Sequence, residues 1–140
     1  MDRAAAPVVA AASDEPQQAL RRFKVPAEFS VSLFAAEPLL ANPVAFGFDE
    51  KGAVYVAETY RYRSSVLDIR DYMPMLEQDL AARSVEDRSQ LILDQFGTEG
   101  KAELSKESEI LRRVVDTNGD GVADTSSIFA EGFNDALDGI

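Results

Sequence analysis

From Phe23 onward, the apolar and polar positions predict a mostly β chain interrupted by one helical stretch. Phe29-Ser-Val31-Ser-Leu33 alternates strictly, the period of a strand with one buried face, so a strand is expected there. Leu39 to Pro43 predicts a short turn closed by the proline, which restricts the residue before it. Val44–Phe48 and Ala53–Ala57 are two apolar, β-branched and aromatic runs joined by Asp49-Glu50-Lys51-Gly52, which predicts a β-hairpin. Nearly every position in both runs is apolar, so the hairpin is expected to be covered on both faces.

After Glu58 the pattern breaks into a charged and aromatic connection, and between Asp71 and Ser105 it becomes helical. Tyr72, Leu76 and Leu80 recur at a spacing of four, which would place them on one helical face. Ser84 followed by Asp87 resembles a capping box, with Asp in place of the longer Glu. Val85, Ile92 and Phe96 form a second stripe that Gly97 ends, and a third short helix is expected from Thr98 to Leu104. Ten acidic residues against four basic between Asp71 and Glu109 read as a solvated helical surface.

Strand pattern returns in Glu109–Val115 and again in Ser126–Ala130. Between them lies Asp116-Thr-Asn-Gly-Asp-Gly-Val-Ala-Asp124. Calcium takes six to eight oxygens, and a loop that wraps it offers them at its first, third, fifth, seventh and ninth positions, with glycine sixth for the turn. Here those positions are Asp116, Asn118, Asp120, the backbone carbonyl of Val122, and Asp124, with Gly121 sixth. The twelfth is Ser127 where a sensor carries a bidentate Glu, and no helices flank the loop. That predicts a structural ion clip inside a β-hairpin, with weak affinity of about 10⁻⁴ to 10⁻³ M. The competing reading is a polar turn that uses Asp, Asn and Gly for local hydrogen bonds and left-handed geometry.

Composition narrows the chemistry. The 140 residues are 46% hydrophobic, enough for one small domain with a core. A formal charge of −11 disfavours nucleic acid and anionic membranes and suits cations. No apolar run is long enough to span a bilayer. With neither cysteine nor histidine, the chain has no disulfide, no thiolate zinc site, no haem attachment motif and no Ser-His-Asp triad of its own. At the N-terminus, Ala4–Ala12 followed by Ser13-Asp14-Glu15-Pro16 leaves two readings open: a signal peptide shortened at its front, or a flexible leader. Both predict little packed structure over residues 1–19, with the domain occupying 20–140.

Other candidate sites are less specific. Tyr60, Arg61, Tyr62 and Arg63 can bind an anion or can pair with Glu58, Asp68 or Asp71 to pin the connection, and the pinning role is the simpler one. Arg112 and Arg113 read as counter-charges for the acidic loop. Glu37, Asp49 and Glu58 are carboxylates with no spacing that marks an acid–base pair.

The segments FKVPAEFSVSLFAAEPLLANPVAFGFDEKGAVYVAETYRYRSSVLDIRDYM and DTNGDGVADTSSIFAEGFNDALDGI resemble the start of the "membrane-bound dehydrogenase" proteins of planctomycetes and verrucomicrobia. Those are similar to glucose/sorbosone dehydrogenase propellers that use pyrroloquinoline quinone. The resemblance implies a mainly β fold, the first blade or so of a β-propeller with an α-helical insertion over about 71–105; as an isolated fragment the class is α+β. It implies a secreted or periplasmic dehydrogenase of sugars or alcohols, with downstream blades and a cytochrome c domain as partners. Quinone and haem c would belong to the longer protein, and no catalytic residue transfers to this chain. About five strands are expected, little more than one blade, and such a piece alone would be marginally stable because its sheet edges lack neighbours. The alternative is a self-contained calcium-stabilised interaction module without enzymatic activity.

Overall fold

The computed structural model describes residue 9, residues 11–62 and residues 64–137. Its centre is a four-stranded antiparallel sheet in the order β1 (Pro43–Phe48), β2 (Val54–Glu58), β3 (Glu109–Val115) and β4 (Thr125–Phe133). The fold is therefore a mixed α/β arrangement with a sheet that stays open. The β1–β2 hairpin turns at Asp49, whose carboxylate accepts the Lys51 and Ala53 N–H groups, both at 2.9 Å, while Gly52 takes a φ of 83°.

The core lies on one face of β2 and β3. Register pairs Val54 with Val114 and Val56 with Arg112, so the buried side chains of Val54, Val56 and Val114 share that face. Phe34, Ala35, Leu39 and Leu40 pack over them, and Ala123 from the β3–β4 loop closes the cluster. Each fully buried valine or isoleucine contributes about 1.5–3 kcal/mol. The covering segment is tied down by polar bonds as well: Ala123 N–H donates to the Phe34 carbonyl at 2.7 Å, and the Ser126 hydroxyl donates to the Leu39 carbonyl.

Two sequence expectations change here. Phe29–Leu33 is not a strand among the described residues; no strand lies beside it, so its alternation has no ladder to join, and Phe29 is 68% exposed. The hairpin is covered on both faces only at β2. On the edge strand β1, Phe46 and Phe48 stack edge-to-face at 5.7 Å yet stand 65% and 70% exposed, because the 34–40 cover packs on the cluster of β2 and β3.

The helical parts follow the pattern with local corrections. A short helix, α1 (Glu15–Leu20), starts inside the span expected to be an unpacked leader, though it buries no residue. The Ala4–Ala12 stretch lies mostly outside the described residues, as do Arg63 and the terminal 138–140. Ile69–Met75 is a 3₁₀ segment containing Pro74, followed by α2 (Leu76–Ala81) and α3 (Val85–Leu104). Tyr72 does not share an α-helical face with Leu76 and Leu80: its φ of −132° and ψ of 37° break the helix, and its ring meets Phe96 edge-to-face at 4.7 Å. Ser84 caps α3 as expected, accepting the Asp87 N–H at 3.0 Å, but the Asp87 carboxylate reaches the Arg83 N–H, one residue short of a closed box. Val85 faces solvent, so the second stripe is only Ile92 and Phe96. Gly97 interrupts α3 at φ 66°, where the sequence placed a stop before a third short helix.

Candidate functional site

The β3–β4 connection holds the Asp-rich loop. Asp116 accepts the Gly119 N–H on one oxygen and the Gly121 N–H on the other, both at 2.7 Å. Asn118 accepts the Asp120 N–H at 2.9 Å, and Asp120 accepts the Val122 N–H at 2.8 Å. Gly119 and Gly121 have φ of 79° and 87°, the left-handed conformation that lets the chain curl around these side chains. Asp124 turns to the base of the loop, where it accepts from the Thr117 backbone and hydroxyl and from the Thr125 hydroxyl.

The electrostatics follow from those bonds. The Gly121 N–H, then that of Gly119, holds the Asp116 carboxyl below its ordinary range. The Thr125 hydroxyl, then that of Thr117, does the same for Asp124. The donor set of three carboxylates, one amide oxygen and the Val122 carbonyl is all oxygen, as a hard cation requires. Among the described residues, no three acidic side chains already converge on a point where a metal ion could sit.

The second cluster is buried and polar. Glu58, at the end of β2, is fully buried and ion-paired to Arg112 of β3: Nε donates to Oε1 at 2.6 Å and Nη2 to Oε2 at 2.9 Å. Glu58 pairs across the strands with Ile110 and Val56 with Arg112, so Glu58 and Arg112 are diagonal neighbours on the core face. The Ala41 N–H and the Tyr60 hydroxyl, at 2.9 and 2.8 Å, also donate to Glu58. Beside it the buried Glu109 carboxylate collects the Thr59 hydroxyl and the Tyr60 and Arg61 N–H groups at 3.0–3.2 Å.

These contacts redistribute the roles read from the sequence. Arg112 is a partner for Glu58 and not a counter-charge for the loop. Arg113 adds to the charges around Asp49, whose carboxyl is lowered first by the Ala53 N–H. Arg61 pins the connection as expected, but through the carbonyls of Ser65, Leu104 and Glu107 and not through Glu58, Asp68 or Asp71. Asp68 is held by Arg70 instead. Glu37 is exposed and Asp49 serves the hairpin turn, so neither joins Glu58 in an acid–base pair.

A family model for a domain of unknown function, DUF7133, matches residues 15–137. The chain belongs to this family. No curated protein and no solved structure matches it. The DUF7133 match runs from the start of α1 to just beyond β4, so it takes in both the loop and the buried network.

Tyr60 gives this DUF7133 domain a spectroscopic handle. Burial first, then the hydrogen bond and charge of Glu58, push its phenol up to about 12. A phenol whose folded pKa exceeds its unfolded value contributes stability that is complete below about pH 10 and declines as pH rises from there toward 12. Tyrosinate absorbance is expected to show one late-titrating phenol near 12. Tyr60→Phe should remove that phase and Glu58→Gln should move it downward.

Proposed function

We propose that this chain is the N-terminal segment of a secreted or periplasmic β-propeller of the pyrroloquinoline-quinone type that oxidises sugars or alcohols. The observation that carries the reading is the sheet: four sequential antiparallel strands, the content of one propeller blade, with an edge strand that leaves Phe46 and Phe48 uncovered. Neighbouring blades of the same protein would cover such a strand. A cytochrome c domain would take the electrons in the longer protein.

In this reading the chain holds no catalytic residue. The quinone, when bound elsewhere in the protein, supplies a two-electron acceptor. This chain supplies scaffold: Glu58 and Arg112 lock β2 to β3, and the Asp-rich loop ends the β3–β4 hairpin. Asp116, Asn118, Asp120, the Val122 carbonyl and Asp124 would hold a structural calcium ion there. The oxygen-only donor set supports calcium, and millimolar affinity fits an extracytoplasmic setting.

Reading the gene through the codon for Ile140 tests the assignment. A frame that continues into further four-stranded units, a histidine and a Cys-x-x-Cys-His motif supports it. A stop codon at that point in the intact genome would overturn it and leave the calcium-stabilised interaction module.

A further inference from the structure

The helices form an arm that leaves the sheet after β2 and returns to it at β3. Neither α2 nor α3 approaches a strand, and neither contains a fully buried residue. What holds the arm is a clamp at its base. Arg61, 6% exposed, donates from Nη2 to the Ser65 carbonyl at 2.6 Å and from Nη1 to the Leu104 and Glu107 carbonyls at 2.9 and 2.7 Å. The Ser65 hydroxyl accepts the Glu107 N–H at 2.8 Å. One guanidinium thus ties the outgoing chain, 64–72, to the returning half of α3, 96–104.

Between those two walls runs an open groove of about 530 Å³. Its apolar surface comes from Val66, Leu67, Tyr72 and Phe96, and Gly100 keeps the helical wall low. Val66 is largely exposed, as is part of Tyr72. The rim is acidic: Asp68, Asp71 and Glu103 line it, and Arg70 is the one cation among the described lining residues. Arg70 is already committed to Asp68, donating from Nε at 2.8 and 3.1 Å and from Nη2 to Oδ2 as well. Lys106, just outside the lining, stands 3.8 Å from Glu103 in an ion pair exposed at both ends, where such pairs are weak. With three carboxylates against these two cations, the rim keeps a small net negative charge above an aromatic floor.

We propose that this groove docks a basic, apolar segment of a partner protein. A Lys or Arg stem would lie along Val66 and Leu67, with its charge against Asp71 and Glu103 and over the open face of the Tyr72–Phe96 pair. A second copy of this chain is a poor occupant, since each carries a formal charge of −11. The Arg61 clamp gives the groove fixed walls, so binding need not order them.

A fluorescein-labelled peptide of alternating Lys and Leu, with a Glu/Leu counterpart, tests this by anisotropy on the full chain. The basic peptide is expected to bind and the acidic one to fail. Asp71→Asn with Glu103→Gln, both at exposed positions, should weaken binding about tenfold. The charge-matched control Asp14→Asn with Glu50→Gln, neither of which lines the groove, should leave it unchanged. Amide shifts on peptide addition should centre on Tyr72 and Phe96. Equal weakening by the control would mean diffuse attraction to an acidic surface and would overturn the proposal. So would absent binding, or a dimer in light scattering that the groove variant dissolves.

Discussion

Glu58→Ala is expected to cost the domain about 3–5 kcal/mol, the range for breaking one partner out of a buried ion pair. Glu58 is fully buried and the Arg112 side chain 11% exposed, so the abandoned guanidinium cannot recover its lost partner from water without opening the sheet. The substitution also strands the Ala41 N–H and the Tyr60 hydroxyl. Small domains hold only about 5–15 kcal/mol in total, so this loss takes a large share. In urea the unfolding midpoint should fall by about 2 M, from a typical slope of 1–3 kcal/mol per M. Glu58→Leu combined with Arg112→Met should recover much of the loss, because two apolar groups of similar volume avoid the desolvation of both charges. A Glu58→Ala midpoint close to that of the parent would show that the pair is solvated and adds little.

Much of this arrangement was legible in the alternation of the strands. The hairpin, the return strand at Glu109, the Ser84 cap and the break at Gly97 follow from local rules, because turn glycines, capping hydroxyls and period-2 patterns act within a few residues. Phe29–Leu33 obeys the same period but has no strand beside it, and alternation carries no information about who the neighbour is. The Glu58–Arg112 pair was within reach. Val54-x-Val56-x-Glu58 and Arg112-x-Val114 put both charges on the parity of buried valines, and a charge on the core face needs a partner on that face. What hid it was register: which arginine lies diagonal to Glu58 depends on the β2–β3 pairing across a 50-residue helical excursion. The groove at the base of the arm was illegible for the same reason, since its walls meet through contacts between residues far apart in the chain: Arg61 on the Leu104 and Glu107 carbonyls, Ser65 on the Glu107 N–H, and Tyr72 on Phe96.

Calcium is expected to raise the melting temperature of the domain, and loss of Asp116 or Asp120 to abolish that rise. For a dissociation constant of about 10⁻⁴ to 10⁻³ M, calcium at about 10 mM adds about 1.4–2.7 kcal/mol to the folded state. In a domain of this size that is about 5–10 °C between calcium and chelator by calorimetry. The readout is the difference between the two conditions and not the melting temperature itself, because Asp116→Ala also removes acceptors for Gly119 and Gly121 and lowers stability without any ion. Magnesium should give a much smaller shift, since it demands a tighter, near-octahedral shell than a curled backbone loop offers. Hydrogen bonds hold Asp116 and Asp124 below the ordinary carboxylate range. Depressed folded values contribute stability that is complete above about pH 4 and is lost as pH falls through them, so the calcium effect should persist across the neutral and mildly acidic range. A loop that served only as a turn would melt at the same temperature with calcium or chelator. Its aspartates would then matter solely through the backbone N–H groups they cap, and the same four side chains would give equal losses in both buffers.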